Sequence, residues 1–250
     1  QTAASNQLEA DSATMKSSPG SAFFPSMLAH VYTPFQPELN FPESFSLECR
    51  ALVTPGAEDR KANVIVKGDA EWGYHYGLNL MPSKAVEIYF RSSAHFVALT
   101  SERNSLPAPG IWSHIVGVVD RENRSLSLYV DGRQVGSCGF DNEPLDPENQ
   151  GALRLGNAVT IPTSDQFFGL LDDVRLWSRA LSPEEIRDIA ESQPVRAESQ
   201  NLVLWWDFNQ PCVRIDGDTN RVYFRNLVES NKDFQAGFYS GAQATAYSCW

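Results

Sequence analysis

Two neighbouring carboxylates, Asp172 and Asp173, are the side chains of this sequence whose type and spacing best suit the binding of a cation. They follow Gly169 at the end of a predicted strand. A hard cation such as calcium takes six to eight oxygen ligands, so two carboxylates supply only part of a site. The alternative is that Asp172 accepts hydrogen bonds from loop amides while Asp173 is solvated.

Large aromatic side chains alternate along a second stretch. Trp72, Tyr74 and Tyr76 share one face of a predicted strand, together with Leu78 and Leu80. The three rings could form a platform on which sugar rings stack, and they are the candidate ligand-binding residues. The alternative, which we favour, is a core strand of a β-sandwich, because the inner face of a sandwich is filled with bulky side chains.

Asn123 begins the triplet Asn123-Arg124-Ser125, which is an acceptor sequence for N-glycosylation. The triplet lies in a polar segment between two apolar, alternating stretches. We therefore expect it in an exposed hairpin loop. A glycan at Asn123 depends on a host that glycosylates its secreted proteins.

Composition limits the partners of this chain. Its 250 residues are enough for one large all-β domain or two small ones, and 42% of them are hydrophobic. The formal net charge of -11 argues against nucleic acid, because phosphate binding needs clustered Lys and Arg. No apolar run approaches the roughly 20 residues that cross a bilayer, so we expect no membrane insertion. The chain opens at Gln1, which suits either a mature terminus left by removal of a signal or a fragment of a larger protein.

The elements that must position these residues are clearest just after the carboxylate doublet. Residues 174–177 alternate between two faces, which is the period of a strand. Ser182 then stands where an N-cap belongs, Pro183 takes the first helical position, and Glu185 completes a capping box. The pattern predicts a strand, a turn and a short helix over residues 183–192.

This stretch carries a family resemblance. The pattern Phe-x-Gly-x-Leu-Asp-Asp-Val-Arg-Leu-Trp-x-Arg-Ala-Leu-Ser-x-x-Glu-Ile over residues 167–186 resembles the C-terminal signature of LamG-like jelly-roll domains, and it is similar to the matching segment of pentraxins. A second block agrees with the first. Trp-Ser-His-Ile-Val-Gly-Val-Val-Asp over residues 112–120 resembles a family strand, and Leu-Ser-Leu-Tyr-Val-Asp-Gly follows it over residues 126–132. We interpret His114 in the second block as a structural histidine.

The resemblance implies the concanavalin A-like fold, an all-β jelly-roll sandwich of two antiparallel sheets with one short helix. We expect a LamG-like domain over residues 22–250, with the core motif region at 41–192. Residues 1–21 are predicted to be a flexible N-terminal arm. Residues 193–250 are predicted to be a C-terminal extension that adds strands.

The resemblance also implies calcium as a candidate cofactor. LamG-like domains and pentraxins commonly hold calcium at the rim of the sandwich, by acidic side chains and loop carbonyls. Asp172 and Asp173 are the residues that this implication assigns to the metal. The acidic loop over residues 141–148 could contribute further ligands, as the equivalent loop does in pentraxins.

The four cysteines show no Cys-x-x-Cys pair and no zinc spacing. An even number of cysteines, in a fold usually found outside cells, suggests two disulfides. Three pairings are possible. We favour Cys49 with Cys138 and Cys212 with Cys249, because the latter two lie in the C-terminal extension. The alternative is four buried free thiols.

The motifs of related enzymes are missing. Glycoside hydrolases of this fold carry Glu-x-Asp-x-x-Glu on one strand, which places acid and nucleophile on the same face. The nearest segment here, residues 143–148, has the wrong spacing and contains two prolines. A pocket in which two carboxylates, or a tyrosine and a histidine, converge would indicate an enzyme instead.

We therefore predict a non-catalytic recognition module that is secreted or lies at the cell surface. The resemblance favours carbohydrate as the ligand, with an extracellular protein as the second class of partner. One alternative is a structural, adhesion or assembly subunit within a larger chain or complex. The other is a polysaccharide-active lyase or hydrolase of the same fold.

Overall fold

A computed structural model describes residues 20–69, 73–92, 95–141, 149–158, 165–191, 194–209, 211–216, 219–231, 236–239 and 243–245. The described chain forms seventeen strands and one α-helix, α1 (Pro183–Ala190). The strands, in chain order, are β1 (Ser21–Phe24), β2 (His30–Thr33), β3 (Phe45–Val53), β4 (Ala62–Asp69), β5 (Gly73–Met81), β6 (Ala85–Arg91), β7 (Phe96–Thr100), β8 (Trp112–Asp120), β9 (Ser125–Val130), β10 (Arg133–Gly139), β11 (Leu153–Leu155), β12 (Gly169–Trp177), β13 (Leu202–Trp206), β14 (Pro211–Asp216), β15 (Thr219–Phe224), β16 (Ala236–Tyr239) and β17 (Gln243–Thr245).

The strands form two antiparallel sheets. Sheet A has the order β10-β9-β8-β3-β12-β1-β17, and β13 also pairs with β12. Sheet B has the order β14-β15-β16-β2-β11-β4-β5-β6-β7. The predicted all-β sandwich of two antiparallel sheets with one short helix is therefore confirmed. No helix in the described part of the chain is long and apolar enough to cross a bilayer.

The core lies between the inner faces of the two sheets. Phe45, Leu47, Cys49 and Ala51 alternate along β3 and are almost fully buried, as their spacing predicts. The ring of Tyr76 from β5 packs on Phe45 with 5.0 Å between centroids. This contact joins β3 of sheet A to β5 of sheet B across the core.

The helix covers the outer face of sheet A. Ser182 Oγ accepts a hydrogen bond from the Glu185 backbone N–H at 3.2 Å, and Glu185 Oε2 accepts one from the Ser182 N–H at 2.9 Å. This is the predicted capping box. Ile186 and Ile189 are buried against the sheet. Because the helix shields this face, Glu48 on the outward side of β3 is also buried.

The first apolar segment forms two strands. The apolar pattern from Phe23 to Val31 predicts one strand, but Leu28 adopts a left-handed backbone conformation with φ of 70°. The chain therefore turns between β1, which joins sheet A, and β2, which joins sheet B.

The strands after residue 201 join both sheets. β13 pairs with β12 and β17 pairs with β1 in sheet A. β14, β15 and β16 extend sheet B beyond β2. The C-terminal strands thus widen the sandwich itself.

The predicted disulfide between Cys49 and Cys138 is wrong. Both cysteines are free thiols, and Cys49 is buried in the core. Cys49 lies on β3 and Cys138 on β10, three strands away in sheet A. Three strand spacings amount to about 14 Å, whereas the Cα atoms of a disulfide lie roughly 4.4–6.8 Å apart. The second predicted pair includes Cys249, which lies outside the described residues.

Candidate functional site

A groove opens on the outer face of sheet B, over strands β4 to β7, with a volume of about 140 Å³. Its floor is polar. Asn63 of β4, Asn79 of β5 and Glu87 of β6 follow one another across the sheet, because Asn63 pairs with Asn79 and Asn79 pairs with Glu87. All three side chains are at least nine-tenths buried. Sequence alternation places Glu87 there, since Val86, Ile88 and Phe90 of β6 face the core.

Hydrogen bonds hold the floor in one arrangement. Asn79 Nδ2 donates to Glu87 Oε1 at 3.0 Å, and Thr100 Oγ1 donates to Glu87 Oε2 at 3.2 Å. A carboxylate only accepts, so the Asn79 amide must present its nitrogen to Glu87. Both Glu87 oxygens therefore have protein donors, and the floor is preorganised.

Aromatic rings form one wall of the groove. Tyr89 and Phe96 lie 5.2 Å apart between ring centroids, and Tyr74 also lines the groove. Phe96 exposes 59% of its surface, although it is a large apolar side chain. Burial raises the pKa of Tyr89, and the nearby Tyr74 and Glu87 raise it further. The Tyr89 hydroxyl therefore stays protonated and can donate a hydrogen bond at any physiological pH.

Charged side chains of both signs stand at the rim. Lys61 Nζ lies 3.5 Å from Asp165 Oδ2, and both side chains are partly exposed. Arg91 is exposed at the end of β6. The formal charges of these three side chains sum to +1, which the Glu87 carboxylate of the floor balances. With the fixed amides and the exposed ring, the groove suits a ligand that has both hydroxyl groups and apolar faces.

Tyr74 and Tyr76, two of the three aromatic residues predicted to bind ligand, lie on opposite faces of β5. Tyr74 lines the groove. Tyr76 is fully buried in the core, and its hydroxyl donates to the Leu39 carbonyl at 2.9 Å, so it cannot contact a ligand. Trp72 lies outside the described residues. Tyr74 and Tyr76 point to opposite faces because β5 bulges at His75: Tyr76 pairs with Lys67 and Tyr74 with its neighbour Gly68.

Most of the groove is not predicted from the sequence. Asn79, Glu87 and Phe96 line it, but they are not among the candidate site residues of the sequence. A signal for Glu87 was present, because Glu87 alternates with apolar residues of β6 and so must face outward. Nothing in the local pattern of β7 indicates that Phe96 would be exposed beside Tyr89.

The carboxylate doublet lies elsewhere, in a charge cluster on the outer side of sheet A. Asp173 stands at a β-bulge of β12 with φ of 47°. Its Oδ1 accepts hydrogen bonds from Arg175 at 2.6 Å and from Trp205 Nε1 at 2.9 Å. Its Oδ2 lies 3.6 Å from Arg50 Nε. The Asp173 carboxylate is thus neutralised by two arginines.

This arrangement does not fit a calcium ion at the doublet. Calcium needs six to eight oxygens, and two guanidinium groups beside Asp173 would repel it. Asp172 Oδ1 accepts a hydrogen bond from the Asp173 backbone N–H at 2.7 Å. The described residues contain no group of three His, Cys, Asp or Glu side chains that could hold a metal. Residues 142–148 of the acidic loop lie outside the described residues, so calcium binding there stays a prediction.

Glu48 is the centre of the charge cluster. The carboxylate accepts hydrogen bonds from Arg175, from Trp177 Nε1 at 2.8 Å and from His114 Nε2 at 3.1 Å. Burial alone would raise the pKa of Glu48, but the Arg175 charge and the hydrogen bonds from His114 and Trp177 lower it below the usual 4.5. His114, Arg175 and Trp177, which belong to the two sequence motifs, thus meet at Glu48, where they stabilise the fold.

Asn123 is exposed in the turn between β8 and β9. Its Nδ2 donates to Asp120 Oδ2 at 2.8 Å. The side chain is accessible at the surface, as expected. Glycosylation itself stays a prediction.

Two curated proteins illustrate what this chain is similar to. It is 28% identical over 119 residues to the rat (Rattus norvegicus) Sushi, von Willebrand factor type A, EGF and pentraxin domain-containing protein 1, a match that covers 45% of this chain and 3% of that protein. It is 27% identical over 146 residues to the mouse (Mus musculus) Pentraxin-related protein PTX3, with 53% of this chain and 37% of that protein covered. The chain therefore spans only a small part of the curated relatives that it matches.

Solved structures share the fold. A candidate carbohydrate-binding protein from Bacteroides ovatus superposes with a TM-score of 0.65 at 15% identity, over 92% of this chain and 60% of that one. The CBM40 domain of the Ruminococcus gnavus IT-sialidase, bound to α2,3-sialyllactose, gives a TM-score of 0.54 at 12% identity, over 68% of this chain and 97% of that one. At these identities the likeness concerns the fold alone.

A family model described as the concanavalin A-like lectin/glucanases superfamily matches residues 29–187, which is more than half of the chain. The matched region contains the sequence motifs at 112–132 and 167–186 and every groove residue described above. The chain belongs to the concanavalin A-like lectin/glucanase superfamily.

Proposed function

We propose that this chain is a non-catalytic recognition module that binds a saccharide in the groove of sheet B. The observation that carries the proposal is the exposed ring of Phe96 beside Tyr89, above a floor of fixed hydrogen-bonding groups. A pyranose ring has an apolar face and a belt of hydroxyl groups. The aromatic wall can pack against the apolar face, and the polar floor can form hydrogen bonds with the hydroxyl groups.

The size of the groove favours one sugar ring. Its volume of about 140 Å³ is below the roughly 300–1,000 Å³ of pockets that enclose a whole drug-sized ligand. We therefore propose that one ring of a longer glycan enters the groove while the rest crosses the sheet. The CBM40 domain, which shares the fold and is bound to a sialylated trisaccharide, supports a saccharide as the class of ligand.

An extracellular or cell-surface location is part of the proposal. The exposed acceptor residue Asn123 supports it, because N-glycosylation takes place in the secretory pathway. Calcium dependence is also part of the proposal, although it would have to come from the acidic loop at 141–148 and not from the Asp172–Asp173 doublet.

The second candidate function is a glycoside hydrolase. The observation that favours it is that two carboxylates, Glu87 and Asp165, line the same groove. Against it, both Glu87 oxygens accept hydrogen bonds from the protein, and Asp165 is paired with Lys61. A hydrolase needs one protonated and one ionised carboxyl group facing the glycosidic bond. We therefore favour binding without catalysis.

Binding to a glycan array, followed by titration calorimetry with each soluble hit, tests the proposal. We expect Phe96→Ala to weaken binding about two- to twelvefold, because a stacked ring contributes about 0.5–1.5 kcal/mol. Ile111→Ala is the matched control, since Ile111 is another large apolar residue that exposes 54% of its surface. Equal affinities of the two variants would contradict the groove as the binding site.

Two further assays separate the alternatives. New reducing ends released from the bound glycan, and lost in Glu87→Gln, would establish a hydrolase. Concentration-dependent assembly in analytical ultracentrifugation, together with an array that shows no glycan binding, would favour a structural or adhesion subunit that contacts protein partners.

A further inference from the structure

Arg154 is a nearly buried cation on the same outer face of sheet B. It is the middle residue of the short strand β11, and its neighbours Leu153 and Leu155 face the core. Only 9% of Arg154 is exposed. Its guanidinium carbon lies 5.2 Å from the centre of the Tyr32 ring on the adjacent strand β2.

No described residue forms an ion pair with Arg154 or accepts a hydrogen bond from it, and its Nε is inaccessible to solvent and unsatisfied. Arginine carries five N–H donors and remains charged in proteins. A buried charge without a partner is costly, so buried arginines are normally paired with carboxylates. By comparison, Arg175 in sheet A also has an unsatisfied Nε, but its terminal nitrogens pair with Glu48 and Asp173.

The described side chains that flank Arg154 on the outer face of β2 and β4 include no second cation. His30 lies on the same strand as Tyr32, and its pKa is lowered chiefly by burial and further by the Arg154 charge, although its hydrogen bond to Leu28 opposes this. His30 is therefore neutral at physiological pH. On the other side of Arg154, its partner on β4 is the apolar Val66.

We propose that Arg154, with the Tyr32 ring beneath it, forms an anion-binding subsite that takes the carboxylate or sulfate group of an acidic saccharide. The planar fork of the guanidinium matches the two oxygens of such a group, so its terminal N–H groups can form a bidentate contact with the anion. The Tyr32 ring keeps the guanidinium plane in place.

The subsite and the groove belong to one surface. The strand registers align Arg154 with Val66, Val66 with Gly77, and Gly77 with Tyr89. Arg154 and Tyr89 are thus three strand spacings apart, which is about 14 Å. A glycan with one ring in the groove can extend across the strands to Arg154. In this respect the inference rests on the proposed function and deepens it, because it makes the ligand an acidic glycan.

The first test is the stability of the free protein. Arg154→Met keeps an unbranched side chain over the aliphatic part of Arg154 and removes the charge. We expect its melting temperature in anion-poor buffer to equal or exceed that of the wild type, because the substitution removes an uncompensated buried charge. Arg133→Met on β10 is the control, since Arg133 is exposed. A fall of several degrees in Arg154→Met alone would indicate a structural role and would overturn the inference.

The second test uses inorganic sulfate as the probe. Melting temperatures are measured in sodium sulfate and in sodium chloride of equal ionic strength. Sulfate stabilises most proteins in a general way, so the informative quantity is the difference between variants. We expect the wild type and Arg133→Met to gain at least about 2 °C more than Arg154→Met. Equal gains in all three proteins would overturn the anion subsite.

The third test compares lactose with 3′-sialyllactose, which differ by one carboxylated sugar. We expect the wild type to bind the acidic sugar at least about tenfold more tightly, Arg154→Met to lose this preference, and Arg154→Lys to restore part of it. No binding of either sugar, with the sulfate difference retained, would contradict the proposed saccharide function and leave the anion subsite standing. Binding of both sugars with equal affinity, and no difference between variants in sulfate, would refute the anion subsite and leave the proposed saccharide function standing.

Discussion

The side chain of Tyr89 lies directly over Gly77 on the neighbouring strand. A Cβ atom at residue 77 would stand 2.6 Å from the Tyr89 hydroxyl oxygen and 2.8 Å from the Ile65 carbonyl oxygen. The missing side chain at Gly77 therefore creates the space in which the Tyr89 ring forms the wall of the groove. This single contact links a glycine in the middle of β5 to the proposed binding surface.

Gly77→Ala is expected to displace Tyr89, because neither the ring nor the Ile65 carbonyl can tolerate a methyl group at that distance. We expect a loss of about 1–3 kcal/mol in the free energy of unfolding, as in other overpacked sites, and weaker glycan binding. Gly139→Ala is the control, since the nearest atom to its Cβ would be the Arg124 carbonyl oxygen at 3.8 Å. Chemical denaturation and calorimetry measure both effects. Unchanged affinity in Gly77→Ala would contradict the role of Tyr89.

Glu48→Gln should destabilise the fold strongly, because it leaves Arg175 and His114 without their shared carboxylate. Breaking a buried ion pair costs about 3–5 kcal/mol. Trp177→Phe is a milder variant that removes one donor to Glu48 and should cost about 1.5–3 kcal/mol. Glu122→Gln in the exposed β8–β9 turn is the control. Denaturation at pH 7 that gave equal stabilities for all variants would refute the role of the cluster.

The same carboxylate predicts a pH dependence. The pKa of Glu48 is lowered in the folded protein from a usual value of 4.5. Its contribution to stability is therefore complete above about pH 4.5 and is lost as the pH falls through the lower, folded-state pKa. We expect wild-type stability to decline below pH 4.5 more steeply than that of Trp177→Phe. Parallel pH profiles of the two proteins would contradict this.

The burial of the two free thiols predicts the order in which a thiol reagent modifies them. Burial and the Glu48 charge raise the pKa of Cys49, and burial raises the pKa of the half-buried Cys138. We expect iodoacetamide to modify Cys138 slowly in the native protein and Cys49 only after unfolding, with peptide mass spectrometry as the readout. Cys138→Ser should abolish native labelling at these two positions. A peptide in which Cys49 and Cys138 are joined by a disulfide would show that the observed geometry is wrong.

Asp173→Asn tests whether the Asp172–Asp173 doublet binds calcium. The substitution weakens the contacts to Arg50 and Arg175 and should cost about 1–3 kcal/mol with or without calcium. We expect any shift of the melting temperature between calcium and chelator to be the same in Asp173→Asn and the wild type. A calcium-dependent rise that is present in the wild type and absent in the variant would place the metal at Asp173 after all.

Sequence patterns predicted much of the fold because strand alternation and helix capping depend on residues that are close together in the chain. The alternation from Phe45 to Ala51 predicted that every second side chain of this strand lies in the core. The capping box formed by Ser182 and Glu185 predicted the start of the helix. The predicted disulfide between Cys49 and Cys138 was wrong because it depends on strand order. Strand order in a sheet is a long-range property that local patterns do not contain.

The sequence by itself determined the class of fold, the helix cap and the family, because periodicity and motif order are written along the chain. Only the tertiary structure decided which polar groups share a surface. Tyr74 and Tyr76 have the same parity in the sequence, yet a bulge at His75 sends one to the groove and the other to the core. Asp173 carries the charge of a metal ligand, yet β12 brings it against two arginines. Pairing between distant strands sets both outcomes, and no local pattern specifies that pairing.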